Sequence, residues 1–386
     1  MTFLEGFSVL DLASVGPAAR ASRILADFGM QIIKVAPVAA KGSKQVDPVF
    51  HAYGAGRGTR RLRVDLKSDA GRDVIQRLAA KVDVVIESYR PGVAARLGVG
   101  YAELAARNPK LVYCSTSGYG QDGPAAQWVG HDINYLAMSG FLACSGRDAA
   151  GRPAMPGATV ADGAGGGMQA AMSILAALLR RDRNGEGAYL DVAITDGMLN
   201  LMSLYLDQYL ATGEDTQPGS GILTGKYAWY GVYTTSDGKH LSVGAIEAHF
   251  FRNLCRLLDL EAFAAHQYDA DKQDDMRTAF AQRFLTRRRD EWVALLAGAD
   301  TCVAPVLSIP EVTAHPQLRA RNAFMQADHP QHGTFEQLGP ILAGSERRQP
   351  PHRVTPSSTT DTDAILGEAG FPAQQIAELR AAGCIE

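Results

Sequence analysis

Short β-rich runs alternate with helical stretches through the first third of the chain, and no other feature restricts its fold as much. "FSVLDLA" is followed by "AARASRILADFG", whose apolar spacing is helical and which ends on Gly29, and then by "QIIKVAP". "TRRLRVDLKS", "AGRDVIQRLAAK" and "VDVVIES" repeat the pattern, as do "YAELAARNP" and "LVYCSTSG". Strands joined through single helices of about a dozen residues cannot pair as hairpins. Their crossovers force them parallel, with helices on the faces, and this predicts an α/β fold built on a doubly wound parallel sheet.

Further along, "GGGMQAAMSILAALLRRDRNG" reads as a strong helix on which Met168, Met172, Leu175 and Leu179 share one stripe. That stripe is expected to face the core. "AYLDVAITDGMLNLMSLYLDQYLATG" gives another strand followed by helix, and the Gly-rich "GEDTQPGSGILTG" then breaks the pattern. "YGVYTTSDGKHLSVGA" reads as a hairpin turning at Asp237-Gly238. The helices "EAHFFRNLCRLL" and "DDMRTAFAQRFLT" follow it. From about residue 325 Pro, Ser, Thr and Arg dominate, up to a closing helix "PAQQIAELRAAG". A chain of 386 residues is long enough for two domains. The expected division is a large α/β domain over 1–210, a linker over 211–226 and a smaller α+β domain over 227–324. A segment over 325–386 returns to the large domain.

Charge and cysteine usage narrow the function. Lys and Arg number 38 against 41 Asp and Glu, a net charge of −3, which argues against a nucleic-acid or polyanion binder. The five cysteines, at 114, 144, 255, 302 and 384, form no C-x-x-C pair and read as reduced thiols. "MTFLEGFSVLDLA" lacks the basic start and long apolar core of a secretory signal, and "AAGCIE" is neither a peroxisomal nor an ER address. The apolar run near "MSILAALL" falls far short of the ~18 residues that would span a bilayer. A soluble cytoplasmic enzyme is the expectation, with no membrane or nucleic-acid partner.

Three ionisable positions share a setting where strands give way to helices. His131, in "VGHDINYLAMSG", stands with Asp132 at the start of a helix whose stripe is Ile133, Leu136, Ala137 and Gly140. Asp162, in "VADGAGGGM", precedes the Met168 helix, and Glu247, in "VGAIEAHFF", lies between a strand and a helix. In α/β folds ligands gather at the carboxyl ends of strands, opposite helix N-termini. Taken singly, Asp132 or Asp162 reads as an N-cap, Glu247 as a carboxylate at the positive end of a helix, and His131 as a hydrogen-bonded core histidine. Together with the glycine run "GAGGG" they read as a site. Glycine in a helical turn costs about 1 kcal/mol relative to alanine, so three in succession forgo roughly 3 kcal/mol. Close approach of a ligand or another chain to bare backbone is the expected reason, with tight helix packing as the alternative.

An imidazole at a helix start is kept neutral by the helix dipole and can accept a proton. A carboxylate against the ring would fix its tautomer, and a second carboxyl across a substrate carbon would complete an acid/base pair. Two bases facing one carbon from opposite sides are what inversion of a stereocentre requires. Arg57, Arg60, Arg61 and Arg63 in "GRGTRRLRVDLK", and Arg90 in "IESYRPG", suit phosphates or, alternatively, a solvated strand edge. Tyr53 and Tyr89 could flank an adenine. "GAGRGT" follows no clear strand and opens no helix, so it is discounted as a dinucleotide fingerprint. There is no P-loop and no nucleophile elbow. "HPQH" lies in a Pro-rich loop without further ligands, so no metal site is expected.

These motifs resemble the family III CoA-transferase superfamily, and within it the α-methylacyl-CoA racemase branch. The resemblance runs along nearly the whole chain, through "VLDLASVGPAARASRILADFG", "RVDLKSDAG", "ESYRPGVAARLGVG", "STSGYGQDGP", "GHDINYLAMSG", "VADGAGGGM", "GEGAYLDVAITDGML", "VYTTSDGKHLSVGAIE" and "CVAPVLSIPEV". "GHDINY" is the most specific, because it separates racemase-like members from most transferases, whereas "RPGV" and "LADFG" place only the fold. The resemblance implies His131 as one base supported by Glu247, Asp162 as the opposing acid/base, and Arg90 on the CoA moiety with help from Arg57 and Arg60. It implies an acyl-CoA substrate, no metal or redox cofactor, and an interlocked homodimer whose site joins the large domain of one subunit to the small domain of the other. Departures are Ala36 where an acidic residue is usual, Pro37 where an arginine often follows, and Ala248 in place of proline. The function implied is interconversion of (R)- and (S)-2-methylacyl-CoA. The alternative is transfer of CoA between carboxylic acids with Asp162 as nucleophile, a reaction that gives His131 and Glu247 no necessary task. A non-catalytic acyl-CoA-binding protein would not need a facing acid/base pair.

Overall fold

The computed structural model describes residues 2–13, 15–38, 49–356 and 358–386. Two compact units emerge, one made of Met1–Phe141, Met155–Leu206 and Pro316–Glu386, the other of Leu142–Ala154 and Asp207–His315. Leu142–Ala154 therefore joins the second unit, which nothing in its periodicity announces.

The first unit is an α/β body around a six-stranded sheet of order β3-β2-β1-β4-β5-β6. Its strands are β1 (Ser8–Asp11), β2 (Gln31–Ala36), β3 (Thr59–Arg63), β4 (Val84–Glu87), β5 (Val112–Ser117) and β6 (Ala188–Ala193). All neighbours pair parallel. The chain runs outward from β1 to β3, then returns to place β4 on the other side of β1, so the topological switch lies between β1 and β4. Both faces are covered, and adjacent residues divide between two cores. Leu10, Ile33, Val85 and Tyr113 pack with the helix α2 (Asp69–Ala79) and with Ile365, Leu366, Phe371 and Leu379. Val9, Ile32, Val84 and Val112 pack instead with α1 (Pro17–Asp27) and with a long helix over Gln169–Asn184. This period of two inside apolar runs is what a sheet buried on both sides demands. Asp11 ends β1 fully buried and is fully engaged. It accepts from the Ala13 N–H (2.8 Å), Ser22 Oγ (2.7 Å) and Lys34 Nζ (2.8 Å), tying β1, α1 and β2 together.

Of the stripe expected to face the core, only Leu175 packs against it. Met168, Met172 and Leu179 are 45%, 61% and 62% exposed, while Ala170, Ala171, Ile174, Ala177 and Leu178 are buried. Periodicity identifies residues that share a face but not which face is covered. The small side chains win here because this helix lies close against α1 and the sheet.

In the same unit β10 (Phe324–His329) pairs antiparallel with β11 (Gly333–Leu338) and parallel with β12 (His352–Arg353). The second unit holds an antiparallel sheet of β7 (Tyr230–Thr234), β8 (His240–Gly244) and β9 (Val303–Pro305). Its hairpin turns through Gly238 at φ +73, as the Asp-Gly pair predicts. Trp229, Phe251, Phe280, Phe284 and Trp292 fill its core, and both indole N–H groups donate to buried carbonyls, of Gln267 (2.8 Å) and Phe284 (2.9 Å). Among the described residues no helix is long and apolar enough to cross a membrane.

Candidate active site

His131 occupies the N-cap position of α3 (Asp132–Met138), in extended conformation. The Asn134 side chain accepts the His131 N–H at 2.9 Å, and the Asn134 N–H returns to the His131 carbonyl at 2.8 Å, so the backbone under the imidazole is held on both sides. Behind it Tyr135 and Leu136 are buried. The Tyr135 hydroxyl donates to the Gly130 carbonyl (2.6 Å), and its ring meets Tyr119 edge-on with centroids 5.2 Å apart. A Cβ on Gly130 would lie 2.9 Å from that ring, so glycine is required directly before the histidine. The polar head of the segment presents the imidazole and its apolar tail anchors the backbone beneath it. The His131 side chain itself is exposed, and among the described residues none hydrogen-bonds its ring.

Asp162 is not on an α-helical cap. It is the second residue of a π-helical turn, Ala161–Met168, that leads directly into α4 (Gln169–Asn184). Its N–H donates to Asp132 Oδ1 at 2.8 Å. Asp132 therefore links the His131 helix to the Asp162 turn, a task beyond the capping its position suggests. The Asp162 carboxyl is half-buried and titrates above the usual carboxylate range. Burial is the main cause and the Asp132 charge the second, opposed by Arg20 and His131. A carboxyl moved upward in this way is better matched to proton exchange near neutrality than a solvated aspartate.

Gly165, Gly166 and Gly167 of this turn answer to packing, the alternative that their helical cost left open. A Cβ on Gly165 would lie 2.9 Å from the Ile194 carbonyl, and one on Gly166 would lie 2.5 Å from Pro17. One on Gly167 would come within 2.7 Å of Arg20 Cβ. The turn is wedged between α1 and the helix α5 (Ile194–Leu201), which is why its backbone must be bare. Arg20, on α1, thereby comes beside Asp162. Nothing in the sequence singles it out, since one arginine in an amphipathic helix reads as surface.

Of the remaining candidates, Arg90 alone follows a strand that borders the topological switch. Arg90 follows β4, is exposed, and has no side-chain partner among the described residues. Beneath it Glu87 is buried, accepts the Tyr89 N–H (2.6 Å) and a bond from Ser115 Oγ, and is pushed upward in pKa chiefly by burial. Arg57 turns inward instead. Only 7% exposed, it holds Asp27 (3.1 Å), the Leu338 carbonyl (3.2 Å) and Met325 Sδ (2.9 Å). Arg60 makes a two-pronged pair with Glu368 at 2.6 and 3.0 Å. Arg57→Met is expected to destabilise the first unit by about 2 kcal/mol, since it strips a buried carboxylate of one of its two cations. Thermal melting would show it as a lowered transition. Glu247 lies in the second unit, exposed, at the N-cap position of α6 (Ala248–Leu257) and just beyond β8. With Ala248 as the first helical residue, the helix begins there without a proline.

A family model described as CoA-transferase family III matches residues 4–362. The chain belongs to that family. It is 34% identical over 385 residues to the α-methylacyl-CoA racemase of Homo sapiens, covering 99% of this chain and 97% of that protein. It is 28% identical to the human succinyl-CoA:glutarate CoA-transferase, over 99% of this chain and 90% of that one. Among solved structures a CAIB/BAIF family protein from Brucella suis matches with TM-score 0.78 and 26% identity, over 95% of this chain and 99% of the other.

Proposed function

We propose that the chain is a 2-methylacyl-CoA racemase, interconverting (R)- and (S)-2-methylacyl-CoA by 1,1-proton transfer. The observation that carries this reading is the bond from the Asp162 N–H to Asp132, which fastens a histidine and a raised carboxyl into one site. In the proposed reaction one of these groups takes the α-proton, the thioester becomes an enolate, and the other returns a proton to the opposite face. Glu247 is the carboxylate proposed to support His131. Arg90, which has no side-chain partner among the described residues, is the first candidate for the CoA phosphates, with Arg60 and Arg57 of the separate basic stretch proposed to help. Proton transfer between two protein groups calls for no metal or redox cofactor, and coenzyme A is part of the substrate. A cytoplasmic homodimer is the proposed form, and the exposed Met172 and Leu179 supply an apolar face for a second copy.

The second reading, CoA transfer with Asp162 as nucleophile, is favoured by the 28% identity to a CoA-transferase. Proton NMR in D2O with a single-enantiomer 2-methylacyl-CoA separates the two. Loss of the α-proton signal with inversion, and with no acceptor acid added, is the expected result. CoA movement to an added carboxylate without α-exchange would replace it with the transferase.

A further inference from the structure

Arg20 is a half-buried cation whose hydrogen-bonding capacity is mostly unused among the described residues. Its Nη2 donates to Thr159 Oγ1 at 2.5 Å, while its Nε is buried without a partner. No carboxylate lies within ion-pair distance of it among the described residues. Its neighbour on α1, Arg23, is by contrast paired with Asp27 at 3.0 Å. A buried N–H left unbonded is costly, so this placement needs a reason.

The surroundings supply one. Thr159 lies three residues before Asp162, and its carbonyl accepts the Gly163 N–H at 3.1 Å, a bond into the start of the turn. The position a Cβ would take on Gly163 is 3.8 Å from Arg20 Nη1, and on Gly167, one turn on, 2.7 Å from Arg20 Cβ. Arg20 is thus locked to both ends of the turn that carries Asp162, with its charge beside the carboxyl but not bonded to it. We propose that Arg20 is a positioning residue for the acid/base carboxyl: it clamps the turn through Thr159 and supplies the positive charge that offsets Asp132.

This rests on the reading of Asp162 as a group that both takes and gives a proton. A direct ion pair would hold Asp162 ionised and poor at returning a proton, whereas a cation at one remove leaves both states accessible. The groups facing Asp162 are Asp132, Tyr135 and the cap residue His131 from α3, and Arg20 from α1. Of these, Arg20 is the one whose positive charge does not depend on pH.

Arg20→Met and Arg20→Lys test it. Removing the cation raises the pKa of a neighbouring carboxyl. For the enantiomer whose α-proton Asp162 takes, the acid limb of the exchange profile is therefore expected to move to higher pH. Exchange at the acid end falls about tenfold, and the plateau changes less than about twofold. For the opposite enantiomer Asp162 must start protonated, so its activity extends to higher pH. Arg20→Lys restores most of both profiles. A uniform loss at every pH with unmoved limbs would overturn the proposal and leave Arg20 a packing residue. Titrating the Asp162 carboxyl by carbon NMR, assigned with Asp162→Asn, keeps the test independent of the reaction. A midpoint that rises in Arg20→Met supports the proposal and one that stays overturns it, even if the wild-type protein exchanges no α-proton and the racemase reading falls. Should Arg20→Met fail to fold, Arg20→Gln carries the same comparison.

Discussion

If the proposed racemase reaction holds, Asp162→Asn is expected to lower racemisation by about a thousandfold while leaving the protein folded. The backbone N–H that binds Asp132 survives the substitution, and a half-buried amide replaces a carboxyl of the same shape, so the turn keeps its anchor. Asparagine can neither take nor return the α-proton, and inversion stops. The His131 side of the site keeps its base. The enantiomer deprotonated from that side should therefore continue to exchange its α-proton with D2O and recover the same configuration. Exchange without inversion, for one enantiomer only, is the signature of two bases on opposite faces. His131→Gln should give the mirror result. A transferase would behave otherwise: Asp162→Asn would abolish CoA movement, His131→Gln would leave it nearly intact, and neither would exchange the α-proton. NMR of both enantiomers with both variants decides.

Gly197→Ala is expected to destabilise the first unit by about 3 kcal/mol. Gly197 lies inside α5, where alanine in a free helix would gain about 1 kcal/mol. Here the new methyl would sit 1.9 Å from the Gly165 carbonyl and 2.4 Å from Gln169 Oε1, and the first of these is backbone that cannot step aside. The helix and the π-helical turn must part, and the turn carries Asp162. Gly367→Ala is the control, in the helix Thr362–Glu368 with open space around it, and should raise stability by about 0.5–1 kcal/mol. Thermal melts of the two variants should shift in opposite directions. A Gly197→Ala protein that melts with the wild type would mean that α5 and the turn can part without cost.

How far the sequence speaks depends on which physical quantity a residue pattern encodes. Strand and helix alternation encodes connection geometry, and it specified the parallel sheet because single helices cannot link antiparallel neighbours. His131 and Asp162 were legible as candidates because polar groups at helix starts inside apolar segments need a purpose. Their linkage was not, since Asp132 bonds across 30 positions of sequence to a backbone N–H and no local spacing encodes that. The glycine run was legible as an unfavourable choice, but its cause, Pro17 and Ile194 pressing on the turn, lies in distant segments. The methionine stripe misled for a related reason. Alanines packed at short range can bury a helix face as effectively as leucines, and the larger side chains are then free to point outward. Arg20 was silent because its meaning comes entirely from the turn that α1 touches.

The first unit is assembled from three stretches of chain, and its last contribution arrives late. Ile365, Leu366, Ile376, Leu379 and Ile385 belong to the same core as Leu10 and Val85, and Ile385 bridges to Val64 beside β3. A ribosome releases the sheet strands long before the residues that seal one of their faces. The second unit, mostly the continuous stretch Asp207–His315, can close while the sheet is still waiting. During that interval an apolar sheet face stands open to solvent and to other nascent chains. Until residues 365–385 emerge, that face is open to aggregation during synthesis, and chaperone capture would be of use in that interval.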